Sequence, residues 1–305
     1  MNRFLLFLLS IFWCMAGISA NHPSSLLPLP QKYSFNGKLA NAKIAVEERI
    51  VAQIDGAKFQ EEAYHLSITP KKIILEATTP KGMYWGKQTL EQLKFTINKK
   101  TFLPQCEITD WPAFRIRGFM HDVGRSFIPV EELKREISLL SRYKINVFHW
   151  HLTENQAWRL ECKKYPQLNA PENMEREKGK YYTLEEARQL VEFCKQHQVL
   201  LIPEIDMPGH SAAFERTFKT DMQSEKGTQI LKDIIDEVCA TFDVPYLHIG
   251  TDEVQFTNPE FVPMMVKYIR DKGKKVISYN PGWNYKPGEI DMTQLWSYRG
   301  KAQKG

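Results

Sequence analysis

Thr183-Leu-Glu-Glu-Ala-Arg-Gln-Leu-Val-Glu-Phe-Cys-Lys-Gln-His197 and, one residue later, Val199-Leu-Leu-Ile-Pro-Glu-Ile205 read as a helix delivering the chain into a strand. Thr183 is the N-cap, and Glu186 completes a capping box three residues on. The helix then runs over 184–197. Val199 to Ile205 is too short and too apolar for anything but a buried strand. The same unit recurs on both sides. Upstream, 118–123 is a strand, 130–143 a helix with apolar residues at Val130, Leu133, Ile137 and Leu140, and 145–152 a strand. Downstream, helices over 230–242 and 261–272 alternate with strands over 246–250 and 275–279, and 293–296 begins another. Gly273 stops the last of these helices. Buried strands alternating with helices form a parallel sheet with the helices outside. Strands this short and regular favour an α/β fold of the (β/α)8 TIM-barrel type over an open sheet.

Residues 21–112 follow a different rhythm. Tyr64–Ile68 and Lys72–Ala77 are short β runs joined by Thr69-Pro70-Lys71, and Gly82–Gly86 leads into a helix through Leu93. This is a small α+β accessory domain, with Pro104 and Trp111-Pro112 marking the linker. Met1–Ala20 has Arg3, an apolar run from Phe4 and a small-x-small end, the pattern of a secretory signal. The expected organisation is therefore 1–20 signal peptide, 21–112 accessory domain and 113–305 barrel domain. Export to a periplasm or beyond the cell is expected.

Composition narrows the classes further. The 305 residues are 43% hydrophobic and 25% charged, with a formal charge of +5. Those values exclude a disordered or fibrous chain. Basic residues are scattered, so no nucleic-acid footprint is read, and no later segment is apolar enough to span a bilayer. Cys106, Cys162, Cys194 and Cys239 form no Cys-x-x-Cys pair, which argues against a zinc site. Cys194 and Cys239 read as small buried hydrophobes.

Each strand of the barrel region ends in polar residues. These are Asp122 and Arg125, then His149, His151 and Glu154, then Glu204, Asp206 and His210, then Asp252 and Glu253. Tyr279, Trp283 and Trp296 follow. In a parallel barrel these tips converge on one mouth, where active sites of the fold lie. Asp252-Glu253 is the centre. Neighbours on an extended strand face opposite sides, so both acids reach one point only if the strand end is irregular, and Gly250-Thr251 permits that. Two carboxyls in one pocket suit glycosidic cleavage, and the aromatic residues suit the flat faces of sugars. A metal-dependent hydrolase stays open at this point. His149-x-His151 puts two rings on one side of a strand, and His210, His248 or Asp252 could complete a ligand set.

Arg117-Gly-Phe-Met-His-Asp-Val-Gly-Arg125, Asn146-Val-Phe-His-Trp-His-Leu152, Pro203-Glu-Ile-Asp-Met-Pro-Gly-His210 and His248-Ile-Gly-Thr-Asp-Glu253 together resemble the family 20 glycoside hydrolases, the β-N-acetylhexosaminidases. The resemblance implies hydrolysis of N-acetylhexosamine glycans with retention, the substrate's own acetamido oxygen attacking C1. It implies Glu253 as general acid/base and Asp252 as the residue that orients the acetamido group. Asp206, His210 and Glu154 would form a supporting network, Arg125 would bind sugar hydroxyls, and Tyr279 and Trp296 would wall the acetamido pocket. His151 and Trp283 join the expected substrate-binding residues. No metal and no cofactor are implied. Thr251 departs from the family's usual glycine, Glu154-Asn155 stand where two aspartates are usual, and Tyr279 stands where tryptophan is usual. Six strands are read where a closed barrel has eight. The chain is therefore expected to be a shortened member, aggregation-prone and weakly active, with a non-catalytic sugar-binding remnant as the alternative.

Overall fold

The computed structural model describes residues 26–297. The expected signal peptide, with Cys14, lies outside them. The chain divides into two compact units. One holds the residues up to Arg115 together with Arg142–Lys144, and the other holds Ile116–Ser141 and the chain from Ile145 onward.

The described residues of the first unit form a six-stranded sheet with one α-helix. Its strands are β1 (Lys32–Asn41), β2 (Val46–Ile50), β3 (Tyr64–Ile68), β4 (Ile73–Ala77), β5 (Phe95–Ile97) and β6 (Lys100–Asp110), in the order β1-β6-β3-β4-β2 with β5 also on β6. Helix α1 (Pro80–Leu93) starts at Thr79, whose hydroxyl accepts from the Gly82 amide at 3.1 Å. β3 and β4 alternate buried and half-buried residues, which is why their pattern is readable in the sequence. β1 is almost wholly exposed and carries no such alternation. Pro104, read above as a linker marker, lies inside β6. The strand tolerates it because β5 pairs with Lys100–Phe102 and β3 with Cys106–Asp110. Between those stretches β6 has a neighbour on one side only, where a missing N–H does least harm.

The second unit is a curled, all-parallel sheet of six strands in chain order. They are β7 (Gly118–Asp122), β8 (Val147–His151), β9 (Leu200–Glu204), β10 (Tyr246–His248), β11 (Lys275–Asn280) and β12 (Met292–Leu295). The helices between them are α2 (Val130–Arg142), α3 (Leu184–Gln196), α4 (Ala212–Phe218), α5 (Glu225–Thr241) and α6 (Phe261–Asp271). The capping box of α3 is formed, with the Glu186 amide donating to Thr183 Oγ1 at 3.1 Å and the Thr183 amide to Glu186 Oε2 at 2.8 Å. α5 starts five residues before Ile230, because Ser224 caps a polar first turn that has no apolar signature. The outer core includes Phe148, Trp150, Leu190, Ile234 and Met265, all buried. Burying each such side chain is worth about 1.5–3 kcal/mol.

Register decides the inner face. Asp122 pairs with His151, His151 with Glu204, Glu204 with His248, and His248 with Ile277. Residues in register share a face. Val147, Ile202 and Ile277 form a small apolar layer there, and the polar residues lie toward the C-terminal tips.

The long segment between β8 and α3 is tied by Arg159, which is fully buried. Its Nε donates to the Val123 carbonyl at 3.1 Å, and its two terminal nitrogens donate to the carbonyls of Arg176, Glu177 and Lys180 at 3.1, 3.2 and 2.8 Å. The four described cysteines, Cys106, Cys162, Cys194 and Cys239, are free. Burial pushes the thiols of Cys106, Cys162 and Cys194 up to about 12 and that of Cys239 to about 11. Among the described residues, no helix is long and apolar enough to cross a membrane.

Candidate active site

β10 ends at His248, and the chain beyond it turns sharply. Gly250, Thr251 and Glu253 all have positive φ, at 64°, 80° and 47°. Such values are costly for side-chain-bearing residues and persist where surrounding contacts hold them. The irregular turn overcomes the alternation of an extended strand. Asp252 Oδ2 and Glu253 Oε2 lie 3.7 and 3.5 Å from one atom, His210 Nε2. Asp252 is largely buried, whereas the Glu253 side chain is 57% exposed.

Gly250 is fixed by close approach as well as by φ. A Cβ there would stand 1.8 Å from Asp206 Oδ1. Gly250→Ala should cost about 3 kcal/mol or more, read as a lower urea midpoint, and an unchanged midpoint would refute the crowding argument. Thr251 is held by its hydroxyl, 2.6 Å from Ser278 Oγ, which itself donates to the Gly250 carbonyl at 2.9 Å. The Trp283 amide also donates to Thr251 Oγ1, at 3.3 Å. The residue that departs from the family pattern is thus pinned to β11 and to the loop after it.

Away from the acids, His210 Nδ1 lies 2.6 Å from Glu154 Oε1. The extra methylene of glutamate still reaches the ring. Asp252 and Glu154 pull the His210 imidazole up to about 11, so it is a cation at neutral pH. Burial opposes the charge on Glu154, but His210, the Asn155 amide and Arg125 outweigh it and lower its pKa. Arg125 pairs with Glu154 and, at 2.6 Å, with Asp122, while its side chain stays 47% exposed.

Beneath this layer sits a second cluster, whose members the sequence reading named singly, at strand tips or as possible metal ligands, without joining them around Glu204. Glu204, fully buried, has His149 Nε2 at 2.6 Å, His151 Nδ1 at 2.8 Å and His248 Nδ1 at 3.3 Å. The Tyr279 hydroxyl donates to it at 3.1 Å. Burial would raise the Glu204 pKa, but His151, His248 and His149 hold it well below the carboxylate range. Burial likewise opposes a charge on His151, and Glu204 with Asp206 and Asp122 raises it to about 9 regardless. Asp206 goes the other way. Burial, then the charges of Glu204 and Asp252, push it well above its ordinary value. The signal for this cluster was strand register, which a single sequence does not print.

The structure therefore gathers Asp122, Arg125, Glu154, Asp206, His210, Asp252 and Glu253. His151, expected to touch substrate, is instead buried against Glu204. Tyr279 joins through Glu204. Trp296 stands beside Tyr279 at 6.4 Å between ring centres, and Trp283 packs on Phe256. His149 and His151 do face one side, as metal ligands would. His149-Glu204-His248, His151-Glu204-Asp206 and Asp206-His210-Asp252 are spaced closely enough to hold an ion. In each group the imidazole and carboxylate atoms face one another directly, at 2.6 to 3.3 Å around Glu204 and at 3.7 Å between His210 and Asp252.

A family model described as glycosyl hydrolase family 20, catalytic domain, matches residues 114–222 and 215–287, and one described as domain 2 of that family matches 25–111. The chain belongs to glycosyl hydrolase family 20. Among family 20 relatives, a beta-hexosaminidase of Porphyromonas gingivalis is 35% identical over 249 residues, covering 71% of this chain and 32% of that protein. One from Vibrio furnissii is 36% identical over 230 residues, covering 64% and 38%. The exo beta-N-acetylglucosaminidase of Vibrio harveyi, solved with N-acetylglucosamine, superposes with a TM-score of 0.78 at 25% identity, covering 90% of this chain and 58% of that one. The chain thus spans between about a third and three-fifths of the length of these relatives.

Proposed function

We propose that the protein hydrolyses terminal non-reducing N-acetylhexosamine residues from glycans, by substrate-assisted catalysis with retention. The observation that carries this reading is the convergence of Asp252 and Glu253 on the His210 cation. Glu253, on the open side, gives its proton to the glycosidic oxygen as the C1–O bond breaks. The acetamido oxygen of the same sugar bonds to C1, and Asp252 accepts from the acetamido N–H, stabilising the positive charge that develops. Water then attacks C1 and returns a proton to Glu253, and the sugar leaves with its configuration retained. His210, charged and held by Glu154, fixes both carboxylates.

The test compares 4-methylumbelliferyl N-acetyl-β-glucosaminide with the matching β-glucoside, which has a hydroxyl in place of the acetamido group. Only the first should turn over, and its product should leave as the β anomer. Equal hydrolysis of both would exclude assistance by the substrate.

A further inference from the structure

A second site lies in the first unit, remote in chemistry from the acids. The β5–β6 hairpin, the end of β1 and the end of α1 surround a cleft of about 520 Å³ lined by Lys43, Lys94, Lys99, Lys100, Asn41 and Phe102, among others. No Asp or Glu lines it. Lys94 pairs with Glu91 at 2.5 Å, and among the described residues Lys43, Lys99 and Lys100 have no ion pair. Cations gathered around a concave surface repel one another and focus a positive potential.

The backbone holds this arrangement at a cost. Ile97 pairs with Lys100, so Asn98-Lys99 is a two-residue hairpin turn, with φ of 47° and 63°. Such a turn favours asparagine followed by glycine. Here the second place holds a lysine in the left-handed region, and the next residue is a lysine as well. Lys43 is set by its amide, which donates to Asn41 Oδ1 at 2.9 Å, and β1 is tied to β6 there by the Ala42 amide on the Thr101 carbonyl at 3.2 Å.

We propose that this cleft binds an oligosaccharide bearing sulfate esters. Lysine ammonium groups are point charges suited to anions spread along a ligand, and the cleft has no arginine fork. It offers Phe102 as its one aromatic ring, where a single-stranded nucleic acid needs a series of them. It is a concave cleft lined by strand and loop residues, not by an amphipathic helix of the kind that lies in a membrane surface. The proposal does not rest on the reading of the acids, because binding is measured without turnover.

The experiment is calorimetric titration of the chain with a heparin tetrasaccharide at about 50 and about 300 mM salt, between which the screening length shortens about 2.5-fold. Binding should appear at the lower salt and weaken about tenfold at the higher. The Lys43→Gln/Lys99→Gln/Lys100→Gln variant should lose about tenfold or more, while Lys267→Gln/Lys272→Gln in the second unit should bind like the parent. The substituted lysines are exposed, and an unchanged circular dichroism spectrum establishes that the variant is folded. Four results would overturn the proposal. They are no binding at low salt, parental affinity in the triple variant, equal affinity for inorganic sulfate or a neutral maltooligosaccharide, and tighter binding of a single-stranded oligonucleotide or of anionic vesicles.

Discussion

Glu253→Gln should slow kcat on 4-methylumbelliferyl N-acetyl-β-glucosaminide by about 10²–10⁴-fold, about 3–5 kcal/mol of barrier. The thermal midpoint should stay where it is, because the Glu253 side chain is 57% exposed and approaches His210 at 3.5 Å without burying a charge. The size of the loss should depend on the leaving group. A sugar fluoride departs without needing a proton, so the variant should keep far more of its parent's rate on N-acetylglucosaminyl fluoride. Asp252→Asn should behave differently. It replaces an acceptor for the acetamido N–H by a group that can turn a donor toward it, so the loss should be of similar size on both substrates. Equal losses for Glu253→Gln on the two leaving groups would remove it from the proton-transfer role.

The second large effect concerns stability. Glu204→Gln should cost about 3–5 kcal/mol, because it leaves the buried His151 cation without its counter-charge. It should also change how stability depends on pH. In the folded chain His151 titrates near 9, against about 6.5 for a free imidazole. A raised histidine pKa stabilises the fold fully below about 6.5, and that contribution is lost as pH rises through about 9. His210, raised to about 11, adds a loss that begins at the same point and extends further. Glu204, lowered, contributes above its unfolded pKa near 4.5 and loses that contribution as the solution is acidified further. Urea unfolding of the parent should therefore show a decline between about pH 6.5 and 9, and Glu204→Gln should make it shallower, leaving the part that His210 supplies. A parent curve level across that window would refute the assignment of charge to His151.

How much of this was legible in the sequence follows from burial. β8 and β9 are buried on both faces, so their apolar runs stand out without any periodicity to interpret. β1 and the first two residues of β6 present polar residues to solvent, and the sheet alone makes strands of them. The cluster of acids was legible because each polar residue ends a strand, and Gly250-Thr251 foretold that Asp252 and Glu253 could share a side. What they share, His210, was expected as support. Glu204 was not expected as a hub, since an acid at the end of one strand looks solvated until register sets it beside histidines of both neighbouring strands. Thr251 was read as a departure from the family's glycine, and the Ser278 hydroxyl that holds it in place lies 27 positions along the chain.

Arg159 bears on how freely this protein can vary. The side chain grips main-chain oxygens of residues 123, 176, 177 and 180. Every amino acid supplies that oxygen, so the loop leading away from Glu154 can drift in sequence at 176, 177 and 180 while keeping its path. The tolerance is one-sided. A lysine at 159 would offer three protons on a single atom where a flat five-donor group now spans several strands of chain, so change is cheap everywhere around that hub and costly at its centre.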